Sequence, residues 1–399
     1  MSQTMPPLEK TLKSSRVIGH LKGNSDGPTV IFFAGIHGNE PAGVLALQKV
    51  FEELNEHHSE IEGEVIGLVG NLKALEQGVR FQVDDLNRIW NQDRLNSLLN
   101  SEGADAKNDD VEMLQLYHKL QHILAHNKPP FYFIDLHTTS SETDPFIVMN
   151  DSLLIRKFVS NYPLPKILGI EEYLTGALLS YINEYGYVAF GFESGQHKAP
   201  EAVTINIDFI NYTLLLTGSI DSTPKTKKVF FEKLGNATKV PSQFYEIKYE
   251  HKLRSVDSFK MVPGFVNFQK VKGGTTLAEF NGEMIKTKRM RQLFMPLYQN
   301  QGGEGFYYIK KVPFIFLMLS KFLRHVKMDH VLTLLPGVQW RDGKKDTLLI
   351  DLHVAKFFAK PVLHLLGYRA RQKDKDHLIA KNREAVSQKK DYINTSWYK

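Results

Sequence analysis

The strongest constraint in the 399-residue sequence is a set of short runs that are apolar at every position rather than at every second one. Residues 29–35 form the first, a β-branched and aromatic stretch with no alternation, as expected of a strand buried on both faces of a central sheet. Residues 64–69, 131–136, 146–149 and 187–192 repeat the pattern, while 41–54 and 111–126 carry helical periodicity. Strand and helix in alternation predict an α/β domain with helices on both faces of a mostly parallel or mixed sheet. Residues 91–110, rich in Asn, Ser and Asp, read as a surface excursion.

The texture changes after about residue 222. Up to residue 311 the strands are short and alternating, punctuated by Pro263-Gly264, Gly273-Gly274 and Gly302-Gly303, which predicts a small antiparallel β domain. Beyond it the chain reads as helical and basic. The expected units are therefore 1–222, 223–311 and a mainly helical extension, 312–399. Charge follows the same divisions: residues 1–220 hold 16 Lys and Arg against 28 Asp and Glu, 221–310 hold 16 against 8, and 311–399 hold 18 against 8. The overall surplus of positive charge thus describes neither half, and the basic tail lacks the aromatic interleaving of a nucleic-acid platform. Nucleic acid is not an expected partner.

Residues 1–23 lack the apolar stretch of a secretory signal, so a cytoplasmic location is the expectation. No run approaches the roughly 18 apolar residues of a membrane span. Cysteine is absent, which removes disulfides and thiol chemistry and leaves His, Asp and Glu as the metal ligands available.

Those ligands occur at strand ends. The first buried run leads into Gly35-Ile36-His37-Gly38-Asn39-Glu40, where His37 and Glu40 stand three residues apart on a turn into a helix. The run at 131–136 ends in His137, a third candidate, and the run at 187–192 ends in Glu193. In open α/β sheets, ligands gather beyond the carboxyl ends of the strands. Two imidazoles and one carboxylate leave a zinc position open, as in catalytic sites, and Glu193 suits a general base. Between these clusters, Arg88 with Asn87 suits a substrate carboxylate and Arg80 suits a carbonyl or developing oxyanion. His118, His122 and His126 share one helix face, which reads as solvated.

Taken in order, His37-Gly38-Asn39-Glu40, Asn71 followed by Arg80, Asp85-Leu86-Asn87-Arg88, Asp135-Leu136-His137-Thr138-Thr139 and Gly191-Phe192-Glu193-Ser194-Gly195 resemble the aspartoacylase and succinylglutamate desuccinylase family of zinc carboxypeptidase-like enzymes. The resemblance spans about residues 28–310 and stops before the last 90. It implies a three-layer sandwich with a mixed central sheet, a β domain roofing the active site, and one zinc ion on His37, Glu40 and His137. It further implies Glu193 as base, Arg80 on the scissile carbonyl, Asn87 and Arg88 on a carboxylate, and a tyrosine lent by the second domain. Tyr307 is the first choice for that tyrosine, with Tyr308 beside it.

One departure bears on substrate. Aspartoacylases carry a further arginine for the second carboxylate of N-acetylaspartate; here an ungapped comparison puts Asn183 there, and no Arg occurs between Arg156 and Arg254. A ligand with one carboxylate, or with another acyl group, is the better expectation. The implied activity is zinc-dependent hydrolysis of a small N-acylated amino acid or related carboxylate. The alternatives are a carboxypeptidase-type peptidase, and a binding or scaffold protein acting through residues 312–399. That extension also leaves a membrane surface or a second copy of the chain open as partners, through its apolar helical faces.

Overall fold

In the computed structural model, residues 15–399 are described, except 57–60, 222, 342, 344, 356–358 and 373. The non-alternating runs are indeed interior strands. Val17–Lys22 (β1), Ser25–Ala34 (β2), Glu62–Val69 (β3), Phe131–Thr139 (β4), Phe146–Met149 (β5), Lys166–Leu168 (β6), Val188–Gln196 (β7) and Phe244–Lys252 (β8) lie in one mixed sheet. Its order is β1-β3-β2-β4-β7-β5-β6-β8, continued by Glu304–Lys311, Arg291–Phe294 and Lys270–Val271.

Both faces of this sheet are covered, which is why its strands need no polar side. Val30, Phe32 and Ala34 of β2, with Tyr132, Ile134 and Leu136 of β4, pack against helices Ala42–Glu56, Leu153–Val159 and Glu201–Thr217. The alternate residues Ile31, Phe33, Phe131 and Phe133 pack on the other face, against Gln92–Asn100, Asp109–His126 and Leu178–Ile182. Residues 91–110 are therefore not a bare excursion: Leu95 and Leu98, three positions apart, give the polar segment one buried stripe, with Leu99 half-buried beside them.

The first half and the β-rich part share backbone hydrogen bonds. β6 pairs in parallel with β8 over Lys166–Leu168, and β8 pairs antiparallel with Glu304–Lys311. Phe146, Val148 and Ile167 join Tyr245, Phe268, Phe294 and Tyr307 in one apolar cluster across the junction. A separate three-stranded antiparallel sheet comprises Phe259–Met261, Thr276–Phe280 and Glu283–Lys286.

Residues 312–399 depart from the helical expectation. They contain helix Phe314–His325, but also an antiparallel sheet of Val338–Trp340, Thr347–Asp351, Tyr368–Gln372 and His377–Asn382. The charged stretch after residue 373 reads as polar in sequence because Leu378 and Ala380 alternate with solvated neighbours, a strand pattern and not a helical one. Nor does the end of the chain stand apart: Tyr392 and Trp397 belong to the core formed by β2, β4 and β7. Among the described residues no helix is long and apolar enough to cross a membrane.

Candidate active site

The carboxyl ends of β2, β4 and β7 deliver the chemistry to one place. After β2 the chain turns through His37 to Glu40, closed by the Glu40 N–H donating to the His37 carbonyl (3.1 Å) and the Gly38 N–H donating to the Arg80 carbonyl (3.1 Å). Glycine is required at position 38, because a Cβ there would lie 2.0 Å from the Ala74 carbonyl carbon. β4 and β7 run parallel with His137 paired to Glu193, so register alone sets these two side chains next to one another on one face.

His37, Glu40 and His137 are buried, and one ligand atom from each lies within 4.8 Å of the others. Glu40 bridges the two rings, with Oε1 2.8 Å from His37 Nδ1 and Oε2 3.0 Å from His137 Nδ1. The Thr138 N–H also donates to Glu40 Oε2 (2.9 Å). Each imidazole has a carboxylate on its far nitrogen: Asp85 Oδ1 is 3.2 Å from His37 Nε2, and Asp135 Oδ2 is 2.7 Å from His137 Nε2. A carboxylate behind each histidine fixes its tautomer and directs the opposite nitrogen inward, the usual setting of a metal-ligating histidine. The two Nδ1 atoms and Glu40 form a donor set suited to zinc, and Glu193 Oε2 beside them is buried without a hydrogen-bond partner. A divalent cation would compensate both the concentration of acid groups and that orphaned oxygen. Among the described residues this is the one such cluster; His118, His122 and His126 lie on an exposed helix face.

The electrostatics distinguish the two glutamates. Burial raises Glu40, but His37 and His137 overcome it and hold its carboxyl well below the ordinary range. For Glu193 burial is the main cause; His137 and Arg80 oppose it, Glu40 and Asp135 add to it, and the carboxyl is pushed up to about 8. One acid stays an anion between two imidazoles while its neighbour holds a proton near neutral pH, an assignment of environments that suits proton transfer.

All eight residues singled out from the sequence line one cavity of about 1050 Å³ including its mouth. Arg80 and Arg88 enter it already paired. Arg80 donates through Nε and Nη2 to Asp85 Oδ2 (3.1 and 3.0 Å), and Arg88 donates through Nε and Nη2 to Glu304 (3.2 and 3.0 Å) and through Nη1 to the Asn87 carbonyl (2.8 Å). Asn87 accepts from the Leu178 N–H through Oδ1 (2.9 Å), which leaves its amide group for other partners. Tyr307 is buried and lines the cavity; burial, reinforced by Glu304, raises its phenol well above the usual value. Tyr308 points to the opposite face of its strand and stacks on Tyr249. Asn183 lies in the cavity wall, and Arg80 and Arg88 are the only Lys or Arg among the described residues that line it.

Three contributors were missed in the sequence. Asp85 and Asp135 were visible as parts of motifs, but their hydrogen bonds to histidines 48 and 2 positions away were not. Glu304 carries no local signal, since its partner lies 216 residues earlier. The segment after residue 295 also closes on the site: Gln299 Oε1 accepts from Asn39 Nδ2 (2.8 Å) and lies 3.1 Å from His197 Nε2, while Gln301 Oε1 accepts from the Arg80 N–H (3.1 Å).

The family model of the succinylglutamate desuccinylase/aspartoacylase catalytic domain matches residues 26–163. A succinylglutamate desuccinylase of Photorhabdus laumondii is 34% identical over 91 residues, 23% of this chain and 27% of that protein. One from Pseudomonas paraeruginosa is 35% identical over 66 residues, 16% of this chain and 20% of that protein. The matched stretch thus spans about a quarter of these curated relatives. Among solved structures, a succinylglutamate desuccinylase/aspartoacylase from Rhodobacter sphaeroides superposes with a TM-score of 0.54 at 18% identity, covering 74% of this chain and 88% of that one. The ectoine utilization protein EutE (DoeB) of Ruegeria pomeroyi, solved with product bound, gives 0.52 at 16% identity, covering the same shares of each chain. Residues 26–163 thus match the catalytic-domain model of the succinylglutamate desuccinylase/aspartoacylase family, and the chain shares its fold with solved structures of that description.

Proposed function

We propose that the protein is a zinc-dependent amidohydrolase that cleaves the amide bond of a small N-acylated amino acid or related carboxylate. The observation that carries this reading is the buried His37, Glu40 and His137 cluster with the proton-holding Glu193 beside it, in a cavity that also presents two arginines. The curated relatives, named as succinylglutamate desuccinylases, point to the same class of reaction.

His37, Glu40 and His137 would hold the zinc ion, which when bound supplies Lewis-acid polarisation and an acidified water. Glu193, freed of its proton, takes one from the attacking water at its carboxylate and returns it to the leaving amine nitrogen, so that amine and acid separate as neutral fragments before they ionise. Arg80 supplies fixed positive charge for the oxyanion of the tetrahedral intermediate; its pairing with Asp85 keeps the guanidinium plane oriented. Arg88 has two of its five N–H donors left after its bonds to Glu304 and Asn87, enough for one substrate carboxylate. Tyr307, kept as a phenol, adds a donor from the β-rich side.

With Asn183 in the cavity wall and no third arginine among its lining residues, a substrate bearing a single carboxylate fits best. Metal analysis of the purified protein, with hydrolysis of a panel of N-acyl amino acids and peptides side by side, tests the proposal. Bound zinc and turnover of acyl amino acids are expected, both lost in His37→Ala. A metal-free native protein that still hydrolysed them would refute it, and turnover of peptides alone would favour a carboxypeptidase.

A further inference from the structure

Helix Phe314–His325 turns Leu317, Ser320, Leu323 and Arg324 inward. Ser320 and Arg324 are its buried residues. The Ser320 hydroxyl donates to the Leu365 carbonyl (2.7 Å), and Arg324 donates to Asp151 (2.8 Å to both Oδ2 and the carbonyl), to Glu384 Oε1 (3.0 Å) and to the His364 carbonyl (3.0 Å). The outward face is apolar: Phe314 is 73% exposed, Ile315 71% and Phe322 60%, with Met318 and Leu319 between them. Val326, Val331, Leu334 and Leu335 carry the surface onward. A surface helix normally shows water its polar face, whereas this one exposes mostly large apolar side chains. Of the 21 large hydrophobic residues exposed among the described residues, eleven fall within positions 314–335, a concentration that marks an interaction surface and not scattered surface apolarity.

Within positions 310–341 the exposed charge has one sign. Lys310, Lys311, Lys321, Lys327 and Arg341 are exposed, and the single acid between positions 310 and 341 is Asp329, which is buried and accepts from the Tyr368 hydroxyl (2.7 Å). Twelve residues give a rod of about 18 Å, too short to cross a bilayer but long enough to lie along one. Apolar side chains fringed by lysines, with no exposed carboxylate within positions 310–341 and the nearby Glu246 paired to Lys248, complement an anionic lipid surface. A second copy of the chain would oppose like charges across a two-fold axis, with no exposed acid within positions 310–341 to pair them.

We propose that this face docks the protein on anionic phospholipid bilayers, the helix lying in the plane of the membrane with Phe314, Ile315, Met318 and Phe322 at the boundary of headgroups and acyl chains and the lysines against lipid phosphates. The inference is independent of the catalytic reading. It extends beyond the stretch that the family model matches.

The test is co-sedimentation of the full chain with vesicles of equimolar phosphatidylcholine and phosphatidylglycerol, and with phosphatidylcholine alone. Binding to the anionic vesicles only is expected. Replacing Phe314→Glu with Phe322→Glu should lower the ratio of bound to free protein roughly tenfold or more, and Lys321→Glu with Lys327→Glu should do so by a similar factor. All four positions are exposed, so thermal melting should match the parent, and the lysine pair preserves the test if the phenylalanine pair fails to fold. No sedimentation of the parent with either vesicle would overturn the proposal. So would equal binding by parent and phenylalanine variant, or a concentration-dependent dimer that the variant loses without any vesicle binding.

Discussion

Replacing Trp397 should damage the protein as severely as a mutation in the middle of the sheet, although it lies more than 250 residues beyond β4. Its ring sits 4.8 Å from Phe158 and 5.8 Å from Tyr392, both edge-on or tilted, and its indole N–H donates to the Tyr132 hydroxyl at 2.8 Å. It is 7% exposed. Truncating a buried tryptophan to alanine costs about 3–5 kcal/mol through lost transfer energy and residual cavity, and depriving the Tyr132 hydroxyl of a partner adds about 1 kcal/mol. Trp397→Ala should therefore lose about 4–6 kcal/mol, a large part of the 5–15 kcal/mol typical of a whole domain. Trp397→Phe keeps the ring contacts and should lose only about 1–2 kcal/mol. Urea unfolding followed by circular dichroism measures both, with the slope in denaturant held constant as the check that the same surface unfolds. A loss below about 1 kcal/mol for the alanine variant would refute the reasoning, because it would mean that the terminal segment detaches without cost to the core.

The remaining predictions concern the site and its surroundings. Glu193→Gln should retain bound zinc and lose turnover by roughly 100-fold or more, as removal of a general base does; retained turnover in a kinetic assay would assign the proton transfer to another group. Arg88→Met should raise KM far more than it lowers kcat, by roughly 10–100-fold, if its donors bind a ground-state carboxylate. Lys166, buried in β6 with its ammonium on the Tyr162 carbonyl and the Ser242 hydroxyl, is pushed down by burial from 10.5 to about 8. Between these values the unfolded chain holds the proton and the folded one does not, so stability should rise with pH from about 8 to 10.5. The rise should be about 3 kcal/mol more for the parent than for Lys166→Met in paired urea titrations. Arg324→Met should cost about 3–5 kcal/mol by leaving Asp151 and Glu384 short of a cation, measured in the same way.

What could be read in advance was whatever the chain encodes locally. β2, β4 and β7 announce themselves because burial on both faces removes alternation, and their ends carry His37, His137 and Glu193 because a parallel sheet collects its strand ends. Pairings between distant positions left no such trace. Nothing near Arg88 foretells Glu304, and nothing near β6 foretells its parallel partner β8. The segment Phe314–His325 was recognisably amphipathic, but which side would face the body depended on Asp151 and Glu384 waiting for Arg324. Tyr392 and Trp397 carry no local signal of burial, because three Lys and a run of polar neighbours surround two side chains that complete a core.

The parallel splice of β6 onto β8 constrains how a ligand enters. Two lobes joined by a flexible linker can close like a clamshell, but here the wall bearing Tyr307 and the wall bearing Glu193 hang from one continuous beam, braced across the joint by Phe146, Phe268 and Phe294. Bending that beam would break backbone pairing and an apolar core together, so the walls keep a fixed spacing. Traffic falls instead to the short segment at residues 295–302, anchored at its base by Met295 on Asn267, Leu297 on Gly305 and Tyr298 on Ser140 and Val262, and closed over the site by the amides of Gln299 and Gln301 on Asn39, Arg80 and Phe81. Loosening those two amides should set the pace of entry and release, while the overall dimensions of the molecule in solution stay the same with and without ligand.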